Sequence, residues 1–164
     1  MGAQIKIKNS HIEAGEPVAD IVVSSSKLKG IDVPAQRAPS MIDEYPILAI
    51  AAATATGKTK MRGLAELRVK ESDRFSAIVE GLGACGISVK IDGNDLTVTG
   101  APGQIRGGTT IKSRMDHRIA MSFLILGLAS MNPIAIDDSS HISTSFPTFV
   151  SLINELGAKI RKTG

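Results

Sequence analysis

Apolar and polar residues alternate from Ala3 to Lys8 (AQIKIK) and again from Val18 to Ser26, a two-residue period that predicts two β-strands with a turn at Glu16-Pro17 between them. Leu28 to Val33 predicts a short third strand, followed by a Pro- and Ser-rich turn from Pro34 to Ser40. The period then changes. Tyr45 to Ala53 is apolar on every side and Ala-rich, which predicts a buried helix ending near Gly57. Lys58 to Leu64 reads as a strand and Ser72 to Ala84 as a helix with Phe75, Ile78, Val79 and Leu82 on one face. Ile87 to Ile91 and Asp95 to Thr99 alternate around Asp92-Gly93-Asn94, the clearest hairpin signal in the chain. Thr109 to Ser113 predicts a strand, His117 to about Ser130 a buried helix, and Pro133 to Asp137 a strand. A helix from Pro147 to Leu156 and a closing strand over Lys159 to Lys162 complete the pattern.

The pattern repeats. Met1-Gly2-Ala3 before IKI, Cys85-Gly86 before ISVKI and Leu156-Gly157-Ala158 before KI each place a glycine and then an alternating strand at the end of a helix. Gly86 and Gly157 are 71 residues apart, and the same shift sets Ser72 on Ser143 and Phe75 on Phe146. Asp43 and Asp116 each open a buried helix in their own copy. The repeating unit is therefore about 70 residues long and runs strand, buried helix, strand, charged turn, exposed helix, hairpin. About two complete units are expected, preceded by the tail of a third.

Composition narrows the class. A chain of 164 residues can bury a sizeable core without a metal or disulfide, and with no Trp, one Tyr and four Phe that core must be aliphatic. Cys85, alone in an apolar run, reads as a buried, inert thiol of a reducing compartment. The net charge of +3 leans toward anionic small molecules, but no basic run interleaved with aromatics points to nucleic acid. The opening alternation reads as a strand and not a secretory leader, and Asn132-Pro133 interrupts the one long apolar stretch. A soluble, cytoplasmic protein without membrane segments is expected.

The densest chemistry lies in Arg68-Val69-Lys70-Glu71-Ser72-Asp73-Arg74, five formal charges of both signs ahead of a helix. Ser72 is a suitable N-cap, worth roughly 1 kcal/mol over Ala. Free N–H groups at the helix start, with Lys70 and Arg74 beside them, suit a phosphate or carboxylate, and Glu71 there suits proton exchange with the bound group. A solvated helix start with local ion pairs is the plainer alternative. A second charged turn, Asp116-His117-Arg118, opens the equivalent helix of the next unit. Matched loops lie on one edge of a layered fold, so Asp43, Lys70, Glu71, Arg74, Asp116, His117 and Arg118 form one candidate set. Asp43 and Asp116 can equally be plain N-caps, and His117 can simply be hydrogen-bonded at a helix start. No His/Cys/Asp/Glu spacing matches a metal site.

LRVKESDR, then SRMDHRIAM, then TSFPTF before LGAKI, with DEYPILAIAAA ahead of them, closely resembles the C-terminal part of the 5-enolpyruvylshikimate-3-phosphate synthase family. The resemblance covers essentially the whole chain. It implies an α/β fold of β-α-β-α-β-β units with helices packed inside sheets, in which residues 1–164 belong to the second domain and the N-terminal domain is absent. It also implies transfer of the enolpyruvyl group of phosphoenolpyruvate to the 5-hydroxyl of shikimate 3-phosphate, without metal or organic cofactor, in a protein monomeric when complete. By matching position, Asp43 resembles the carboxylate that takes the hydroxyl proton, and Lys70 and Glu71 the proton-transfer pair. Arg74 and Arg118 resemble the clamp on phosphoenolpyruvate, and His117 a histidine beside the transferred phosphate. Many members carry a lysine where this chain has Thr144, so no role passes to that residue. The chain alone is expected to be nearly inactive, since a site built across a cleft loses positioning and charge with one wall. The related transferase acting on a UDP-amino sugar and a non-catalytic binding module of the kind found in RNA-processing proteins are the rival readings.

Overall fold

The computed structural model describes residues 1–162. It opens with an antiparallel ribbon, β1 (Gln4–Glu13) and β2 (Glu16–Ser24), pairing Ile5 with Val23, Ile7 with Ile21 and Ile12 with Pro17. Both strands reach further toward each other than the alternation predicts. The turn is Ala14-Gly15, with φ of 50° and 88°, the left-handed pair that matches the twist of a two-residue hairpin. Pro17 therefore sits inside β2, where an edge strand tolerates it.

Of the strand expected over residues 28–33, only β3 (Asp32–Val33) forms, with an isolated bridge from Lys29 to Thr56 ahead of it. The following Pro-rich stretch is ordered more tightly than a turn. A 3-10 turn (Ala35–Arg37), one turn of helix α1 (Ala38–Met41) and a second 3-10 turn (Ile42–Glu44) lead into α2 (Tyr45–Ala53). Then come β4 (Lys58–Met61), a 3-10 turn (Ala65–Val69), α3 (Arg74–Ala84), β5 (Ser88–Asp92) and β6 (Asp95–Thr99). The chain continues through β7 (Gly107–Ile111), α4 (His117–Gly127), β8 (Asn132–Ile136), α5 (Ser140–Ser145) and α6 (Phe149–Glu155).

The central sheet has the order β3-β4-β6-β5, with β3 and β4 parallel and the other neighbours antiparallel, and β7 pairs with β8 in parallel. β3-α2-β4-α3-β5-β6 is thus one full β-α-β-α-β-β unit. The second unit runs from β7 to α6 and, among the described residues, has no closing hairpin. β1 and β2 stand where β5 and β6 stand in the full unit. The strand expected over 159–162 does not form. Asn154 both donates to the Ile160 carbonyl (2.9 Å) and accepts from its N–H (2.8 Å), so the groups a ladder would use are already taken.

α2 lies between β6, α3 and α4 and buries Tyr45, Ala49, Ile50, Ala52 and Ala53, as its all-round apolar sequence requires. α4 adds Ile119, Phe123 and Leu126 to the same core. A Cβ on Gly81 would stand 2.2 Å from the Phe123 ring, so glycine is what lets α3 and α4 approach. Cys85 is wholly buried beneath α3, and burial pushes its thiol up to about 11. No helix among the described residues is long and apolar enough to cross a membrane.

Candidate active site

The charged stretch from Arg68 to Arg74 lies between a 3-10 turn and α3, and its cap is one residue later than the sequence suggests. Asp73, not Ser72, is the N-cap. Its Oδ1 accepts the Ser76 N–H at 2.9 Å and its Oδ2 accepts the Ser76 hydroxyl at 2.6 Å. A carboxylate can take both donors and also favours the positive helix end, so Asp outcompetes the neighbouring Ser. The Ser72 hydroxyl is freed to donate to Asp116 Oδ2, 3.1 Å away and 44 residues later in the chain.

Arg74 is the centre of the arrangement. Its side chain is fully buried, and each edge of the guanidinium donates to a different carboxylate. Nε donates to Asp116 Oδ2 (2.7 Å), Nη1 to Asp43 Oδ1 (2.8 Å) and Nη2 to Glu71 Oε2. Burial works against its charge, but the hydrogen bonds it donates to Asp116 and Asp43 and the charges of Asp116 and Glu71 outweigh that and raise its pKa. The sequence casts Arg74 as an open fork toward a ligand. In the structure each of its three nitrogens already donates to a carboxylate of the protein, because a guanidinium this deep needs several acceptors.

Asp116 is wholly buried too, and besides Arg74 and Ser72 it accepts the N–H groups of Arg118 (2.9 Å) and Ile119 (3.3 Å) through Oδ1. It is therefore both the cap of α4 and the counter-ion of α3. Arg114 and Met115 precede it with φ of 55° and 59°, a left-handed pair of non-glycine residues costing roughly 1–2 kcal/mol each. That turn aims the Asp116 carboxylate inward. Arg114 is held on the outside by both oxygens of Glu80, at 2.8 and 2.7 Å.

Asp43 joins the two charged turns. It lies in the 3-10 turn ahead of α2 and caps nothing. Its Oδ1 accepts from Arg74, its Oδ2 lies 3.6 Å from Arg118 Nη2, and its carbonyl accepts from Arg118 Nη1 at 3.1 Å. Burial raises its pKa, but the Arg74 hydrogen bond and the charges of Arg118, Arg74 and Lys70 prevail and hold it below the ordinary 3.8. Arg118 is one-third exposed and also reaches Glu44 at 3.5 Å. Beside it opens a cavity of about 250 Å³ lined by Asp43, Arg118, Ile47, Met121, Phe146 and Phe149, among others.

Lys70 leans away from this centre toward Glu66, at 2.8 Å. That hydrogen bond, with the charges of Glu66 and Asp43, raises its pKa and keeps it protonated. His117 is half-buried at the first position of α4 and has no hydrogen-bond partner among the described residues. Of the seven residues singled out in the sequence, the structure links Asp43, Glu71, Arg74, Asp116 and Arg118 in one network and sets Lys70 and His117 at the flanks. Asp116 and Ser72 are more deeply involved than their sequence suggested. The sequence carried no signal for this, since it is the burial of Arg74, seen only in the structure, that demands a buried acid.

Around this wall three cations, Lys70, Arg74 and Arg118, meet five carboxylates, Asp43, Glu44, Glu66, Glu71 and Asp116, so it carries an excess of negative charge. Residues 1–153 match the family model of EPSP synthase (3-phosphoshikimate 1-carboxyvinyltransferase). The chain belongs to the EPSP synthase family. It is 61% identical over 160 residues to the 3-phosphoshikimate 1-carboxyvinyltransferase of Paramagnetospirillum magneticum and 59% identical to that of Rhodospirillum rubrum. In each case the match takes in 98% of this chain but 36% of the relative, so the chain spans about a third of the length of these curated relatives. Among solved structures, an EPSP synthase from Acinetobacter baumannii superposes with a TM-score of 0.92 at 42% identity, covering 99% of this chain and 38% of that one. The enolpyruvyl transferase NikO from Streptomyces tendae superposes with a TM-score of 0.71 at 25% identity, over 97% of this chain and 34% of its own. All seven candidate residues fall within the part that matches the EPSP synthase family model.

Proposed function

We propose that this chain supplies one wall of an enolpyruvyl transferase site, part of the second domain of a longer protein. That protein moves the enolpyruvyl group of phosphoenolpyruvate to the 5-hydroxyl of shikimate 3-phosphate and releases phosphate, in the cytoplasm. The observation that carries this reading is Asp43, a carboxylate shared between Arg74 of one unit and Arg118 of the next. Proton-transfer groups and anion-binding groups from two repeats thereby stand on one surface beside an open cavity.

Arg118, the more exposed guanidinium, is the first to meet the carboxylate or phosphate of the donor, and its planar fork suits either. Arg74 engages a substrate only by exchanging Glu71 or Asp43 for it. Such an exchange has a chemical consequence. With Arg74 and Arg118 drawn onto an anion, Asp43 loses the charges that depress its pKa and becomes a stronger base for the acceptor hydroxyl. Glu71, released in the same way, can pass a proton at the methylene carbon. Lys70, protonated by its position against Glu66, serves as a cation and acid, and the unpartnered His117 ring stands near the transferred phosphate. The acidic balance of the wall supports the reading that the chain by itself binds its anionic substrates poorly and turns over little.

The test is phosphate release from phosphoenolpyruvate and shikimate 3-phosphate. The chain alone should give almost none, and mixing it with the remaining part of a full-length relative should restore turnover that Arg118→Met abolishes. Ordinary enzyme rates from the chain alone, or a restored activity indifferent to Arg118, would overturn the proposal.

A further inference from the structure

The turn that presents Asp116 carries strain that its own tip does not offset. It closes through the Asp116 N–H, which donates to the Ser113 carbonyl at 3.0 Å, and both central residues, Arg114 and Met115, are left-handed. That backbone suits Asn-Gly rather than two long side chains. Met115 keeps 69% of its accessible surface, so it gains little packing in return. Backbone of this kind persists only where its surroundings hold it, and it gathers at working sites.

The turn is held at both ends and once in the middle. At one end, Ser113 donates its N–H and its hydroxyl to Asp137 Oδ1, each at 2.8 Å. At the other, Arg74 and Ser72 fix Asp116 through Oδ2. In the middle, Arg114 Nη2 donates to both oxygens of Glu80, at 2.8 and 2.7 Å. Glu80 and Arg74 are six residues apart in α3, so they leave the helix in different directions and tie it to the same turn from outside and from inside. The inner tie is fully buried, and the outer one is partly exposed on both sides. From the turn to the cavity the route is short, because Asp116 Oδ1 accepts the N–H of Arg118 at 2.9 Å.

We propose that Glu80 is a positioning residue for Arg118. By clamping Arg114 it holds the left-handed turn in place, and the turn sets where the Asp116 carboxylate sits and with it the first turn of α4, which carries Arg118. Among the described residues the Glu80 carboxylate bonds Arg114 and none of the candidate-site residues, so it acts only through the turn. An exposed pair contributes little to overall stability, so its loss is read at the site and not in the fold. The inference rests on the proposed role of Arg118 as an anion-binding group, but its first test does not.

Amide exchange of the purified chain reads the turn directly. In Glu80→Ala the amides of Arg118 and Ile119, both bonded to Asp116, should exchange about two- to five-fold faster, the range open to an exposed ion pair, while those of β6 are unchanged. Arg114→Ala should do the same and the double variant no more, since each removes one and the same contact. In an assembly with the remaining part of a full-length relative, Glu80→Ala should raise the KM for phosphoenolpyruvate by a similar factor and leave kcat nearly as it was, the mark of weakened binding common to ground and transition states. Unchanged exchange at Arg118 and Ile119, acceleration spread evenly into β6, additive effects in the double variant, or a fall in kcat at constant KM would each overturn the proposal. An assembly inactive with the wild-type sequence would sink the reading of function, and the exchange measurement would still decide this one.

Discussion

Asp116 Oδ2 accepts the Nε–H of Arg74 at 2.7 Å, and both side chains are completely buried. The two residues begin α3 and α4 of successive units, so one ion pair ties the units together at the base of the candidate site. Removing the acid alone strands a charge in the core, at a cost of about 3–5 kcal/mol. Asp116→Ala should therefore shift the urea unfolding midpoint strongly downward, while Asp116→Asn, which keeps an acceptor, should lose clearly less. Equal midpoints for the two variants would refute a role for the acceptor and leave the whole loss to the missing charge.

The cap of α3 gives a sharper contrast between neighbours. Asp73→Ala removes two hydrogen bonds from Ser76 and should cost about 0.5–2 kcal/mol of unfolding free energy. Ser72→Ala removes one bond to Asp116, and the helix start stays capped. Amide hydrogen exchange at Ser76 and Ala77 should accelerate in the first variant and stay slow in the second.

Stability should fall in acid through Asp43 and other depressed carboxylates, Asp73 and Asp137 among them. Burial opposes ionisation of Asp43, but its arginine partners prevail and lower its pKa below 3.8. Burial likewise opposes ionisation at Asp73 and Asp137, and hydrogen bonds involving Ser76 and Ser113 prevail there. A group with a lowered folded pKa binds fewer protons than in the unfolded chain, so its contribution is whole above the unfolded value. Unfolding free energy should thus hold steady from neutral pH down to about 5 and decline below roughly pH 4. Asp43→Asn should flatten part of that decline in denaturant titrations at a series of pH values.

Gly81 faces the Phe123 ring so closely that any Cβ overlaps it. Gly81→Ala gains helix propensity but forces α3 and α4 apart, and overpacking of this kind costs about 1–3 kcal/mol. Phe123→Leu combined with Gly81→Ala should recover stability relative to the sum of the single variants. A double-variant melt that is merely additive would show that the ring does not set the spacing.

Cys85 should be unreactive while the chain is folded. Burial removes solvent access and pushes the thiol to about 11, so little thiolate exists at mild alkaline pH. Labelling with a thiol-specific disulfide reagent at pH 8 should proceed only at the rate of unfolding and become immediate in denaturant.

Much of the architecture was legible in the chain because it rests on periodicity. The all-round apolar run at Tyr45–Ala53, the Gly93 hairpin and the break at Asn132-Pro133 each reflect local constraints that no tertiary contact reverses. Boundaries decided by competition were not legible. Ser72 and Asp73 are both good caps, and Asp73 prevails because Ser76 offers it two donors and Asp116 claims Ser72. The strand expected at the C-terminus failed for a similar reason, since Asn154 satisfies the Ile160 backbone first.

The chain by itself determined its family, its repeat and the roster of charged residues, because these reside in the identity and spacing of side chains along one dimension. Which cation is spent holding the molecule together and which stays open to a ligand was decided only in three dimensions. Arg74 and Arg118 look alike in sequence, each just inside the start of an apolar helix. Folding buries the first among Asp116, Asp43 and Glu71 and leaves the second at the mouth of a cavity, because only one guanidinium can occupy the seam where two units meet.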